Sequence, residues 1–324
     1  MSTQRLPVTV IGGYLGAGKT TLVNHVLRSS DERIAVIVND FGEISIDEDL
    51  IAAAEGDKLT LANGCICCTL ADGFAAALNT IRSAEVLPER LLIEASGVAD
   101  PAQIAAYGHT PGLRLDAVIV LADAEQVRRQ ANDRWVADTV RMQLAAADVL
   151  VVNKIELLDS VSEGDALCDW LAGIASKAAM VRASRAAVPV EVLFGPQPED
   201  DAVNTLVRSA PDPGAPAAED LFESQTVVAD APVPMPAIEA LLTNLPAGVA
   251  RLKGFVCTAP PTSAEDAEAG DATGYLIEAV GTRTSITPLA PGPEESPRQW
   301  AISVIAHKGT LPPDWLHDRL SSQG

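Results

Sequence analysis

The chain has 324 residues, 48% of them hydrophobic but only 4% aromatic, and a formal net charge of −21. That length predicts two domains, with cores built mostly of Ala, Val, Leu and Ile. The charge argues against nucleic acid or an anionic membrane surface as a partner, since both would be repelled, and no apolar run approaches the length of a membrane span.

The first stretch, Pro7 to Leu22, organises the rest. Val8, Val10 and Ile11 read as a short buried strand, too short and wrongly flanked for a signal peptide, so a cytoplasmic protein is expected. Gly13 then opens the spacing Gly13-x4-Gly18-Lys19-Thr20, and Thr21 to Leu27 continues as a helix. Strand, glycine-rich turn and helix N-terminus are the context that a phosphate-cradling loop requires. Backbone N–H groups of Gly13, Gly16, Ala17, Gly18, Lys19, Thr20 and Thr21 can line a nest for an anion, the helix dipole adds positive potential, and Lys19 adds a full charge. Thr20 offers a hydroxyl to Mg²⁺. A nucleoside triphosphate is the expected ligand.

Further strands are predicted at 33–38, 58–61, 90–93, 115–121, 148–152 and 180–183, with helical segments around 70–82, 124–130 and 137–146, while 163–178 covers the approach to the last of these strands. Strands alternating with helices imply an α/β fold, a mostly parallel sheet with helices on both faces. In such sheets ligands bind beyond the carboxyl ends of the strands. The phosphate loop, Asp40 to Asp47, the cysteine cluster, Glu94 to Gly97 and Asn153 each follow a strand, so all are expected at one edge. A Pro/Ala/Gly stretch at 210–218 marks a linker. The expected organisation is a nucleotide-binding domain over 1–209, a linker over 210–220 and a smaller C-terminal α+β domain over 221–324. Strands at 224–229, 251–257, 275–280 and 300–306 and a helix at 237–244 make up the second domain.

Three of the five cysteines, Cys65, Cys67 and Cys68, fall within four residues. Adjacent thiolates suit a soft or borderline divalent ion such as Zn²⁺, which takes four ligands. Asp40, Glu43, a substrate ligand or water would complete the shell, giving an open, exchangeable site. Buried apolar thiols or a redox pair are the alternatives. Glu94 can hold Mg²⁺ through water, and Gly97 can present an N–H to the γ-phosphate. Asn153, Lys154 and Glu156 stand where a guanine-reading Asn-Lys-x-Asp motif belongs. A carboxylate there accepts from the guanine N1–H and N2 groups, a pattern adenine lacks. The four histidines are isolated in sequence and are left out of the site.

The glycine loop, Asn39-Asp-Phe-Gly-Glu43 with Asp47, Gly64-Cys-Ile-Cys-Cys68, Glu94-Ala-Ser-Gly-Val-Ala-Asp-Pro101 and Asn153-Lys154 together resemble the CobW-like family of P-loop GTPases, cousins of the urease and hydrogenase nickel-insertion GTPases. The resemblance spans the first domain in order and extends more weakly to the second through Arg251-Leu-Lys-Gly254. It implies a GTP-hydrolysing metallochaperone, with Lys19, Thr20 and Glu94 in the catalytic set. It further implies that Mg-GTP is coupled to a Cys-x-Cys-Cys site carrying zinc, or else cobalt, to a client protein. Glu156 departs from the usual Asp, Asp40 from the usual Glu, and the histidine-rich tract of many relatives is absent. A P-loop kinase or ATPase with structural cysteines, or a nucleotide-independent metal buffer, are the competing functions.

Overall fold

The computed structural model describes residues 5–38, 60–62, 77–79, 81, 83–84, 86–195, 222–229, 231–258, 273–289 and 300–321. The expected linker at 210–220, the cysteine cluster, Asp40, Glu43, Asp47 and most of the helix expected at 70–82 lie outside these residues. Contact density divides the chain into two compact units, 2–190 and 191–324.

The first unit carries a seven-stranded sheet in the order β3-β2-β4-β1-β5-β6-β7. Its strands are β1 (Leu6–Gly13), β2 (Ile34–Val38), β3 (Thr60–Ala62), β4 (Arg90–Glu94), β5 (Leu113–Asp123), β6 (Val149–Asn153) and β7 (Ala179–Ala183). Every neighbouring pair is parallel. All five residues of β2, β4 and β6 are buried, which a strand achieves only when both faces are covered. That is why these segments read as unbroken apolar runs. The helices are α1 (Lys19–Ser29), α2 (Pro101–Ala105), α3 (Val127–Gln130), α4 (Ala137–Ala145) and α5 (Val161–Ala172). α1 buries Leu22, Val23, Val26 and Leu27 along one stripe. Ser160 caps α5 by accepting from the Glu163 N–H, and Asp100 caps α2 by accepting from the Ala102 N–H.

The register shifts between Val8 and Thr9, so that Val8 pairs with Leu115 and Thr9 with Ala117. Asp116 is the residue skipped, and its carboxylate meets Arg90 Nη1 at 2.6 Å. Arg90 Nε also donates to Glu32 at 2.7 Å. Burial opposes the Arg90 charge, but Asp116 and Glu32 outweigh it and hold the guanidinium above its ordinary pKa. This cluster sits at the opposite end of β4 from Glu94.

The second unit opens with the end of α6 (Val190–Phe194). Its five-stranded antiparallel sheet runs β11-β10-β9-β12-β8, with β8 (Phe222–Val228), β9 (Val249–Thr258), β10 (Thr273–Val280), β11 (Arg283–Pro288) and β12 (Ala301–His307). α7 (Met235–Thr243) and α8 (Trp315–Ser321) pack on one face, where Ile238, Leu241 and Leu316 join Leu252, Ile277 and Val304 in a single core. On the other face one register line carries Thr226, Ser303, Lys253, Glu278 and Ser285 across all five strands. β11 and α8 are additions to the sequence reading. β11 is a mostly polar edge strand with no apolar alternation to betray it. Among the described residues no helix is long and apolar enough to cross a membrane.

Candidate functional site

β1 is the pivot of the first sheet, because the chain goes to one side for β2 and β4 and to the other for β5 to β7. Such a reversal is where an open parallel sheet leaves a crevice. The loop 14–18 sits at this point. Gly13, Gly16 and Gly18 have φ of 133°, 76° and 104°, so the backbone passes three times through conformations that favour glycine. At Gly13 a Cβ would drive into the Leu121 carbonyl of β5, and at Gly18 into the Asn153 side chain. A turn from the Ala17 N–H to the Tyr14 carbonyl closes the loop at 3.1 Å. Lys19 and Thr20 then open α1, and Thr21 is exposed.

Glu94 ends β4 in register with Ile11 of β1 and is 3% exposed. Thr20 Oγ1 donates to its Oε1 at 2.8 Å, so the two residues expected at Mg²⁺ are in direct contact. A hydroxyl and a carboxylate are hard oxygen donors, and a helix N-terminus beside a glycine loop is an anion site. This donor set fits a magnesium-bound nucleoside triphosphate.

Asn153, expected at the nucleotide, is held through both ends of its side-chain amide. It ends β6 and is 2% exposed. Its Nδ2 donates to the Ala17 carbonyl at 2.9 Å, and its Oδ1 accepts from the Ala186 N–H at 2.7 Å. The amide thus braces the phosphate loop against the turn after β7. Lys154 follows in the left-handed region at φ 65°, with Nζ 2.7 Å from Asp123 Oδ2. Asp123 in turn accepts the Glu125 N–H on Oδ1 at 3.0 Å, which fixes the start of the next segment. Glu156 is exposed on a 3₁₀ turn, Ile155–Leu157.

The turn 184–187 is a part of the site that sequence reasoning missed. Arg185 and Ala186 have φ of 51° and 56°, and Ala186 is fully buried. Left-handed backbone at non-glycine residues costs of order 1–3 kcal/mol each and persists only where surroundings enforce it. Here the bond to Asn153 does so. Its one sequence signal is position, directly after the last strand of a parallel sheet.

The cysteines lie outside the described residues, and β3 is the strand that precedes them. β3 ends at Ala62, paired with Val38, on the same edge of the sheet as Glu94 and Gly13. Three strand spacings separate β3 from β1, about 14 Å. Among the described residues no His, Cys, Asp or Glu cluster could hold a metal ion.

Comparison with known proteins agrees with these features. The chain is 34% identical over 222 residues to the zinc chaperone CobW of a Sinorhizobium species, covering 59% of this chain and 62% of the relative. It is 34% identical over 216 residues to the zinc chaperone YjiA of Escherichia coli, covering 63% and 66%. It is 33% identical over 186 residues to the zinc-regulated GTPase metalloprotein activator 1 of Saccharomyces cerevisiae, covering 49% and 43%. In each case less than two thirds of the relative's length is spanned. Among solved structures, the Zn(II)-bound YjiA GTPase from E. coli aligns over 99% of both chains at 24% identity with a TM-score of 0.46. Residues 222–323 match the cobalamin synthesis protein cobW C-terminal domain. Residues 7–182, more than half the chain and including the phosphate loop, Glu94 and the Asn153 brace, match the CobW/HypB/UreG nucleotide-binding domain, and to that family this chain belongs.

Proposed function

We propose that this chain is a Mg²⁺-dependent GTPase that carries a transition metal, zinc first and cobalt next, to a client protein. The observation that carries the reading is the Thr20–Glu94 contact of 2.8 Å directly beside the glycine loop, within a chain of this family. Lys19 and the loop N–H groups bind the phosphates, and Gly97 meets the γ-phosphate. Glu156 reads guanine, and Lys154 and Asn153 fix the geometry around it. Thr20 and Glu94 would hold Mg²⁺, which would supply charge neutralisation for the transferring phosphate. Water attacks the γ-phosphorus, the bond to the bridging oxygen breaks, and GDP and phosphate leave.

Cys65, Cys67 and Cys68, with Asp40 or Glu43, bind the carried metal. Its affinity rises with GTP, and GTP affinity rises with metal by the same factor. The test is anaerobic titration with Zn²⁺ and Co²⁺, with and without a non-hydrolysable GTP analogue, in native protein and Cys67→Ala. Cobalt–thiolate absorption lost in the variant and strengthened by the analogue is expected. Metal affinity indifferent to nucleotide and unharmed by Lys19→Ala would leave a simple metal buffer. ATP competing as well as GTP would leave an ATPase or kinase.

A further inference from the structure

Gln143 on α4 is 2% exposed and reaches across to the segment that follows β4. Its Nε2 donates to the Gly97 carbonyl at 3.0 Å and to the Ala99 carbonyl at 2.8 Å. Those carbonyls flank Val98, so a single amide fixes both sides of the residue after Gly97. The segment is closed from within by the Ala99 N–H, which donates to the Ser96 carbonyl at 3.0 Å. On its other side it lies against the phosphate loop. A Cβ on Gly97 would stand 2.9 Å from Leu15 Cγ and 3.0 Å from the Leu15 nitrogen. Gly97 is therefore clamped between Leu15 and Gln143, and a side chain there would have to displace Leu15.

The clamp has a cost. Among the described residues Gln143 Oε1 is buried with no hydrogen-bond partner, and an unsatisfied buried acceptor is destabilising. Leucine or methionine would fill a similar volume without that penalty. Packing alone does not account for a glutamine here, whereas two convergent carbonyls do. Gln143 also lines, with Tyr14, Ala17 and Asp123, a small cavity behind the phosphate loop. Gln143 thus bonds the segment that carries Gly97 and shares a cavity with residues of the phosphate loop.

We propose that Gln143 is a positioning residue for the γ-phosphate, holding segment 96–100 ordered against the phosphate loop and so setting the preference for GTP over GDP. This deepens the function proposed above and rests on it. Ordering a loop residue costs conformational entropy, and a segment ordered in advance leaves less of that cost to binding. GDP has no γ-phosphate to meet Gly97, so its affinity gains nothing from the clamp.

The experiment compares the native full chain with Gln143→Leu and with Gln143→Met, two replacements of different shape, in two measurements. The first is hydrogen exchange without nucleotide. Amides over 97–104 are expected to exchange faster in both variants, and unchanged exchange overturns the clamp whatever the protein binds. The second is titration with fluorescent GDP and a non-hydrolysable GTP analogue. Analogue affinity is expected to fall about tenfold, in keeping with the loss of two neutral hydrogen bonds, while GDP affinity stays the same. An equal fall for both nucleotides, or tighter binding of the analogue, overturns the proposal. If native protein binds neither nucleotide, the GTPase reading itself fails and takes the γ-phosphate role with it. The exchange result still shows separately whether the clamp exists.

Discussion

Asn153 Nδ2 donates to the Ala17 carbonyl at 2.9 Å, joining the end of β6 to the phosphate loop 136 residues earlier in the chain. Its Oδ1 accepts from Ala186 at 2.7 Å, so one amide couples the end of a strand to two loops. Asn153→Ala is expected to destabilise the chain by about 1–3 kcal/mol, because two buried backbone groups lose partners. It should also weaken GDP and GTP by equal factors, since the phosphate loop serves both. Urea unfolding and nucleotide titration check this, and an unchanged midpoint would remove the brace from the account.

Thr20 and Glu94 are in contact at 2.8 Å. Glu94→Gln keeps the shape and an acceptor but removes the charge that would attract Mg²⁺. Turnover is expected to fall about a hundredfold or more, the scale seen when an electrostatic contributor is lost, while GDP still binds. Chelating Mg²⁺ should abolish native turnover. Steady-state phosphate release with and without chelator decides the matter. Full activity in Glu94→Gln would rule out its role at Mg²⁺.

Glu156 is exposed on its 3₁₀ turn, at the position where a guanine-reading carboxylate belongs. Glu156→Ala is expected to cut the GTP-over-ATP preference about a hundredfold, as charged hydrogen bonds to the base are lost. Competition titration of the two nucleotides measures it. An unaltered preference would mean that another group reads the base.

Arg90 is 2% exposed and bridges Asp116, also 2% exposed, and Glu32. Arg90→Met leaves the Asp116 carboxylate buried without its strongest partner, and breaking such a pair typically costs 3–5 kcal/mol, so a loss of about 4 kcal/mol is expected. Asp116→Leu added to Arg90→Met should recover part of the loss, since an apolar pair has no charge to strand. The denaturant midpoint reads both. Additive losses would show that the pair is not a unit.

Much of this architecture was legible along the chain, for reasons visible in particular segments. β2, β4 and β6 are buried on both faces, so their unbroken runs of Val, Ile and Leu announced a parallel sheet. The glycine loop was legible because left-handed backbone and close approach to Leu121 admit only glycine at Gly13. By contrast β11 and α8 carry too little apolar period to stand out, and the turn at Arg185 and Ala186 has no glycine to mark its strained backbone.

The sequence by itself determined the order of motifs at the strand ends and the residue types that can meet phosphate, Mg²⁺ and guanine. Local spacing suffices for that, because a strand, a glycine turn and a helix N-terminus are neighbours in the chain. Only the tertiary structure decided that Asn153 braces the phosphate loop, that Lys154 is tied to Asp123, and that Gln143 holds Gly97. Each of those rests on hydrogen bonds or ion pairs between residues dozens of positions apart, and their direction is set by how the sheet brings strand ends together. Spacing along the chain carries no record of that.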